Sequence, residues 1–253
     1  MRRTLYWFLP LAAALTAALA FGAGFYSFLR GDRGEPVDFV APAAETAAAA
    51  PERRVSAIIL GDSLARGTGD PAGLGIGGRL DEELRRRNVP AAETVNIAVN
   101  GARTEQLLRQ LESANVRRLI GEANVVIVSI GGNDLWGGTN WREEAPPDPE
   151  AVMDEVLDEV ERAVESVREA NGGARIFLIG LYNPFRETPF GAELSPMVSR
   201  WNARVIERFS GDANLTVVQT ADLFSHRDRL SLDRFHPGGE GYELIARRIA
   251  DAL

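Results

Sequence analysis

Cysteine is absent from the 253-residue chain, and histidine occurs only twice. The lack of cysteine excludes disulfide bonds, thiolate nucleophiles and zinc-thiolate sites, and two histidines are too few for most histidine-rich metal centres. Basic charge is also in short supply: the formal net charge is −8, and no basic stripe with interleaved aromatic residues occurs. The composition therefore predicts a chain that uses no metal or other cofactor and does not bind nucleic acid.

Charge is missing altogether from one N-terminal segment. After Arg2 and Arg3, no charged residue occurs from Leu5 to Leu29, a length above the roughly 20 residues that a helix needs to cross a bilayer. Positive charge before such a segment favours a cytoplasmic N-terminus and export of the remainder. The sequence predicts that residues 1–29 form a short cytoplasmic N-terminus and a transmembrane signal-anchor, with the rest of the chain outside the cytoplasm.

A cleavable signal peptide is the alternative for this segment, because Ala18-Leu19-Ala20 provides a small-residue cleavage site and would release a secreted protein. Apolar character continues beyond that site through Phe25 and Leu29, which favours the retained anchor. Residues 30–54 follow; they are rich in Ala, Pro, Glu and Gly without an amphipathic period, which is typical of a flexible linker. Residues 55–253 are then predicted to form a single folded domain.

Beyond residue 54, short apolar runs alternate with longer amphipathic stretches, the pattern of an α/β protein. The runs rich in Val and Ile predict five strands of a parallel sheet that is buried on both faces: Val55–Leu60, Thr94–Val99, Val125–Ile130, Arg175–Gly180 and Leu215–Gln219. The amphipathic stretches predict helices at Gly78–Arg87, Glu105–Leu111, Pro149–Ala170, Met197–Phe209 and Glu240–Ala250. Right-handed crossovers would give a flavodoxin-like three-layer α/β/α sandwich.

Three side chains near the ends of predicted strands have the chemistry of a nucleophilic site. Ser63 directly follows the first strand, while Asp233 and His236 lie between the fifth strand and the last helix. A serine hydroxyl needs a base to accept its proton, and the imidazole of that base needs an acceptor to fix its tautomer. Each feature also has a simpler interpretation, a turn serine and an Asp-His pair that only caps the last helix.

Two further turns after predicted strands could stabilise a negative oxygen. Gly101 ends the second strand, and its backbone N–H can approach a ligand closely. Asn133 follows the third strand in Gly131-Gly132-Asn133-Asp134, and its side-chain amide can donate a hydrogen bond. Taken alone, each segment is typical of an ordinary turn.

Together, the four turns resemble those of the SGNH (GDSL) hydrolase family. The matching segments, in the order of the family, are Gly61-Asp62-Ser63-Leu64, Gly101, Gly131-Gly132-Asn133-Asp134 and Asp233-Arg234-Phe235-His236-Pro237. The resemblance implies an SGNH hydrolase catalytic domain over residues 55–253, with Ser63 as nucleophile, His236 as base and acid, and Asp233 as the orienting carboxylate. It also implies an oxyanion hole made of the Ser63 N–H, the Gly101 N–H and the Asn133 side chain.

Longer matches resemble a bacterial subgroup of lipase-like or lysophospholipase-like members with an N-terminal membrane segment: Gly61–Asp70, Asn96–Gly101 and Leu181-Tyr182-Asn183-Pro184-Phe185. This resemblance implies that the substrates are carboxylic esters of lipids or lysophospholipids at the cell envelope. Aromatic residues after the third and fourth strands, among them Trp136, Tyr182 and Phe185, predict an apolar substrate pocket. Packing of each aromatic ring onto the core is the alternative.

Two other functions remain open at the level of the sequence. An acetyl esterase that acts on envelope polysaccharide would use the same serine, histidine and aspartate. A non-catalytic module would bind a ligand in the same pocket without turnover.

Overall fold

The structure is a computed structural model that describes residues 12, 14–23, 25–26, 54–137 and 148–253. Two compact units are present, Met1–Ala49 and Ala50–Leu253. In the first unit, residues 14–23 are helical and exposed. Within the described stretches, no helix combines the length and the apolar character that crossing a bilayer requires. The rest of the predicted anchor, and the predicted linker apart from Arg54, lie outside the described residues.

A five-stranded parallel sheet forms the centre of the second unit, as predicted. Its strands are β1 (Ala57–Gly61), β2 (Val95–Asn96), β3 (Val125–Ser129), β4 (Arg175–Ile179) and β5 (Leu215–Val218). They pair in the order β2-β1-β3-β4-β5, every pair parallel. All carboxyl ends of the strands therefore meet at one edge, where a parallel sheet presents its binding residues.

Helices cover both faces of this sheet. They are α1 (Ser63–Arg66), α2 (Gly75–Arg86), α3 (Thr104–Leu111), α4 (Ala114–Glu122), α5 (Gly132–Gly137), α6 (Pro149–Ala170), α7 (Pro189–Phe209) and α8 (Gly239–Asp251), with a 3₁₀ turn at Arg227–Arg229. Alternate side chains of each strand point to opposite faces. Ile58 and Leu60 pack with α3, α4, α6 and α7, while Ile59 packs with α2 and α8. The predicted three-layer sandwich is therefore confirmed.

Some element boundaries differ from the predicted ones. The second strand was predicted over Thr94–Val99 but contains two residues, Val95 and Asn96. Beyond it, the N–H groups of Ile97 and Val99 still donate to the carbonyls of Ile59 and Gly61, so the chain stays alongside β1. The predicted helix at Met197 begins eight positions earlier, at Pro189, because the Thr188 hydroxyl caps its first turn.

Short helices directly after strands were not predicted. Helix α1 has four residues and α5 has six, too few to show a 3.6-residue apolar period. The helix predicted over Gly78–Arg87 begins instead at Gly75, three positions earlier. These differences all lie at the edge of the sheet that carries the predicted site residues.

Candidate active site

Ser63 is held in a sharp turn between β1 and α1. Gly61 ends the strand with φ 122°, and a Cβ atom there would lie 1.9 Å from the Ser129 carbonyl oxygen. Only glycine fits this close approach. The Asp62 side chain then accepts from the backbone N–H groups of Leu64 at 3.0 Å and Ala65 at 3.4 Å, which starts α1 with Ser63 as its first residue.

Asp62 is a buried carboxyl group next to Ser63 in the chain. Its side chain also accepts a hydrogen bond from the Ser129 hydroxyl at 3.1 Å, which ties the turn to β3. Burial raises the pKa of Asp62 to about 6, although the hydrogen bonds from Ala65, Ser129 and Leu64 act in the opposite direction. Asp62 therefore links the start of α1 to the sheet. Above about pH 6 it does so as a buried charge, which is unfavourable for the folded state.

A chain of short contacts joins the three side chains predicted as a triad. Nε2 of His236 lies 2.8 Å from Oγ of Ser63, and Nδ1 of His236 lies 2.6 Å from Oδ2 of Asp233. The Phe235 ring packs edge-on against the imidazole at 4.9 Å between centroids. One histidine nitrogen can therefore accept the serine proton while the other donates to a carboxylate.

The second oxygen of Asp233 is also engaged. Its Oδ1 accepts from the Ser231 hydroxyl at 2.6 Å and from the backbone N–H groups of Phe235 and His236 at 2.8 and 2.9 Å. Partial burial would raise the pKa of Asp233, but the hydrogen bonds from Ser231, His236 and Phe235 outweigh it and hold that pKa below its usual value. Asp233 therefore stays ionised beside the imidazole at neutral pH.

The loop of residues 231–236, here called the histidine loop, rests on tyrosine and glycine. Tyr182 is buried, and its hydroxyl donates to the Phe235 carbonyl at 2.6 Å. Gly69 has φ 96°, and a Cβ atom there would lie 2.7 Å from the Pro237 carbonyl oxygen and 2.9 Å from Cβ of His236. The loop after α1 and the histidine loop are thus in direct contact.

The three predicted oxyanion donors lie on neighbouring turns. Gly101 adopts φ 74°, and within the described ranges the N–H groups of Gly101 and Ser63 have no intramolecular acceptor. The Asn133 amide donates to the Ala102 carbonyl at 2.9 Å, which orients the group and leaves its second N–H available. These N–H groups have the chemistry of an oxyanion hole.

Asp134 holds the same region from the next position of α5. Its carboxylate accepts from the Thr104 backbone N–H at 3.1 Å and from the Thr104 hydroxyl at 3.0 Å. Asn133 and Asp134 together tie the turn of residues 101–104 to the end of β3.

A small cavity of about 50 Å³ brings several of these groups together. It is lined by the polar residues Asp62, Ser63, Ser129, Asn133 and His236, and by Gly132, Leu64, Leu181, Tyr182, Pro184 and Phe235. Gly101 and Asp233 are not part of this lining. Of the three aromatic residues predicted to bind substrate, Tyr182 lines the cavity. The half-buried Phe185 packs 5.9 Å from Phe235, between ring centroids, outside the lining, and the side chain of Trp136 is outside the described set.

Several residues that build the site had no predicted role. Asp62 and Asp134 stand inside the matched segments, but their contacts with Ser129 and Thr104 join positions far apart in the chain. Of these roles, only the capping of α1 by Asp62 could be inferred from local sequence, because aspartate is preferred directly before the start of a helix. In the part of the chain that the structure describes, no group of three or more His, Asp or Glu side chains could hold a metal ion.

Comparison with known proteins adds three findings. Residues 59–244 match the model of the GDSL-like lipase/acylhydrolase family. The chain is 32% identical to the uncharacterized protein YpmR of Bacillus subtilis over 77% of this chain and 79% of that protein. It is 27% identical to the spore germination lipase LipC of Bacillus licheniformis over 76% of this chain and 93% of that protein.

The fold also matches a solved structure, that of the lipase Lip_vut3 from a goat rumen metagenome. The TM-score is 0.69 at 22% sequence identity, and the match covers 78% of this chain and 97% of that one. This likeness supports the architecture of the sheet and its helices.

Proposed function

Because this chain belongs to the GDSL-like lipase/acylhydrolase family, we propose that it is a serine esterase that hydrolyses carboxylic esters through an acyl-enzyme on Ser63. The observation that carries the proposal is the chain of contacts from Asp233 through His236 to Ser63, at 2.6 and 2.8 Å. These distances support the proposal, because acyl transfer by serine requires a nucleophile, a base and an orienting group within hydrogen-bonding reach of one another.

In the first half of the reaction, Nε2 of His236 takes the proton from Oγ of Ser63 as that oxygen attacks the ester carbonyl carbon. The carbonyl oxygen becomes negative and accepts hydrogen bonds from the N–H groups of Ser63, Gly101 and Asn133. The tetrahedral intermediate then breaks its bond to the leaving alcohol, which receives the proton from His236. The products are an alcohol and an acylated Ser63.

In the second half, His236 takes a proton from water, and the resulting hydroxide attacks the acyl carbon. Collapse of the second tetrahedral intermediate releases the carboxylic acid and returns the proton to Oγ of Ser63. Asp233 carries a negative charge throughout and stabilises the imidazolium that forms in each half. Its low pKa suits this role, because the carboxylate does not take the proton itself.

The proposed substrates are lipid esters of the cell envelope, lysophospholipids among them. Several apolar side chains beside Ser63 support this proposal, as does the similarity to a protein named a spore germination lipase. The uncharged segment Leu5–Leu29 supports attachment to a bacterial membrane with the enzyme outside the cytoplasm. A secreted form released by cleavage after Ala20 is the alternative.

An acetyl esterase of envelope polysaccharide is the second candidate. The space beside Ser63 measures about 50 Å³, which suits a short acyl group, and the cavity opens to solvent, so a longer chain would extend out of it. Hydrolysis rates over a series of p-nitrophenyl esters of increasing chain length, together with acetylated glycan, separate the two candidates. A lipase retains activity on long chains, whereas an acetyl esterase loses activity beyond the shortest ones.

The esterase proposal is tested by hydrolysis of a short p-nitrophenyl ester. Replacement of Ser63 or His236 by Ala should lower kcat by a factor on the order of 10⁴ to 10⁶, the loss typical of such triads. His226, the other histidine of the chain, is exposed and supplies the matched control, since His226→Ala should keep the wild-type rate. Unchanged hydrolysis by folded Ser63→Ala protein would refute the assignment.

A further inference from the structure

The two loops that carry Ser63 and His236 carry two exposed arginines and one exposed carboxylate, Asp233. Segments 61–70 and 231–238 contain three acidic residues, Asp62, Asp70 and Asp233, and two arginines, Arg66 and Arg234. All three carboxylates are engaged within the protein: Asp62 caps α1, Asp70 pairs with Arg79 at 3.1 Å, and Asp233 contacts His236.

Both arginines, in contrast, face solvent. Neither Arg66 nor Arg234 forms an ion pair with any described residue. The exposed Asp233 is held by hydrogen bonds from Ser231, Phe235 and His236. The exposed charges of these two segments that have no partner are therefore both positive, on a chain whose formal net charge is −8. Attraction to an anion at this place would have to come from local charge rather than from the charge of the whole chain.

Each arginine lies close along the chain to a residue of the site. Arg66 lies three positions after Ser63 in α1, which places both residues on the same face of the helix. Arg234 lies two positions before His236, at the turn of the histidine loop, where its backbone adopts φ 56°. The loops touch, because a Cβ atom on Gly69 would lie 2.9 Å from both the Ser231 hydroxyl and Cβ of His236.

An apolar side chain projects from the same loop. Leu232 is fully exposed, with a relative accessibility of 103%. The residues on either side of it form hydrogen bonds within the loop: Ser231 N donates to the His236 carbonyl, and the Ser231 hydroxyl donates to Asp233. Val99 is 54% exposed on the adjoining turn, which the hydrogen bond between Thr68 and Asn100 joins to the loop after α1.

We propose that the histidine loop docks the mouth of the site onto an anionic lipid surface, with Leu232 entering the interface and Arg66 and Arg234 pairing with lipid phosphate groups. An apolar side chain between basic ones is the composition that binds the boundary between headgroups and acyl chains. Arginine suits phosphate, because its guanidinium can donate two parallel hydrogen bonds. Docking here would place an ester bond of the surface lipid beside Ser63, so the inference extends the proposed esterase function.

The absence of cysteine allows a direct test. Leu232→Cys creates a unique attachment site for a polarity-sensitive fluorophore, in full-length protein that also carries Ser63→Ala so that no lipid is consumed. Ile206→Cys is the matched control, because Ile206 is 38% exposed near the C-terminal end of α7, which lies at the opposite edge of the sheet. Each labelled protein is mixed with vesicles of phosphatidylcholine, alone or with phosphatidylglycerol in equal parts.

We expect a blue shift for the label at position 232 with the vesicles that contain phosphatidylglycerol, and no shift at position 206. Arg66→Gln and Arg234→Gln should each lower the apparent vesicle affinity reported at position 232 by about fivefold, and added salt should weaken it further. Arg118→Gln, on α4 and paired with Glu122 in the wild type, is the control for loss of one positive charge and should leave the affinity unchanged.

Several results would overturn the docking proposal. A label at position 232 that keeps its aqueous emission, or that shifts equally with both kinds of vesicle, excludes an anionic surface as the target. Cosedimentation with the anionic vesicles that falls in the arginine variants, while the label at position 232 stays in water throughout, would indicate a polyanion-binding patch and not an inserted loop. Because Ser63 is absent from the assay, these failures are distinct from a failure of ester hydrolysis.

Discussion

Asn133 makes one contact with the protein and has one N–H left for a substrate. Its amide donates to the Ala102 carbonyl at 2.9 Å, and the second N–H is the proposed donor to the oxyanion. Asn133→Ala should therefore lower kcat by about 10²- to 10³-fold and change KM little, because the negative oxygen exists only in the transition state. Steady-state kinetics on a p-nitrophenyl ester measures both parameters.

Asn171 provides the control for this substitution. Its side-chain amide donates to the carbonyls of Ile120 and Ala123 at 2.9 and 2.7 Å, away from the site. Asn171→Ala should lower thermal stability while keeping kcat. Equal losses of kcat in both variants would mean that Asn133 acts only through the stability of the fold.

Asp62 should make the stability of the protein depend on pH. Its pKa is about 6 in the folded state, above the usual 3.8, because it is buried. Ionisation therefore destabilises the folded state fully above about pH 6, and this effect disappears as the pH falls through about 4. Asp62→Asn keeps an oxygen acceptor for Leu64, Ala65 and Ser129, so it should raise stability by about 1–3 kcal/mol near pH 8 and by almost nothing near pH 4.

Asp70 is the matched comparison for that measurement. Burial would raise the pKa of Asp70 too, but hydrogen bonds from Arg79, Ala72 and Gly75 outweigh it and lower that pKa. The stabilisation by ionised Asp70 is present above the pKa of the unfolded chain and is lost as the pH falls through the lower folded value. Asp70→Asn should therefore destabilise near pH 8, opposite to Asp62→Asn. Denaturant unfolding at both pH values measures the free energy of unfolding of each variant. An increase in that free energy for Asp62→Asn that does not vary with pH would contradict the account.

At the scale of structural elements, the loop after α1 positions the histidine loop through Gly69. An added Cβ atom at Gly69 would meet the Pro237 carbonyl and His236 at 2.7 and 2.9 Å. Gly69→Ala should therefore displace the imidazole, and a shift of about 1 Å can cost on the order of 10²-fold in rate. The measurement is kcat for a soluble ester.

Gly73 provides the control that distinguishes the effect of the contact at Gly69 from the effect of backbone strain. It also has a positive φ, 68°, but nothing lies within 4 Å of an added Cβ atom. Gly73→Ala should therefore carry only the left-handed backbone penalty of roughly 1–2 kcal/mol in stability and retain kcat. If both variants lose activity equally, the contact between the two loops is not what positions His236.

The elements differ in how far the sequence could predict them. Helix α6 was predicted with the bounds found, Pro149–Ala170, because valines recur at helical spacing over many turns and Asn171 ends the helix. Helix α1 depends on the single cap from Asp62, and β2 is reduced to two residues although the chain beyond it still bonds to β1. Long elements can be predicted from the periodicity of the local sequence, whereas short ones depend on contacts that only the folded chain makes.

At the scale of the whole molecule, the parallel sheet brings together turns that are far apart in the sequence. Ser63, Gly101, Asn133 and His236 each follow a different strand, and one edge of the sheet collects them. The α/β alternation was therefore enough to predict the fold. The four turns were enough to select residues that the fold brings to one edge, and the roles of those residues in catalysis stay a prediction. The buried supports, such as Ser129 under Asp62 and Tyr182 under Phe235, join distant residues and left no pattern in the sequence.

The central claim is that Ser63 is a nucleophile activated by His236, and a fluorophosphonate probe tests it most directly. Reaction of the full-length protein with the probe, followed by peptide mapping by mass spectrometry, should locate one covalent adduct on Ser63. The adduct should form far more slowly in His236→Ala, because the hydroxyl then has no base. Folded wild-type protein that remains unlabelled, or that carries the adduct on another residue, would contradict the account.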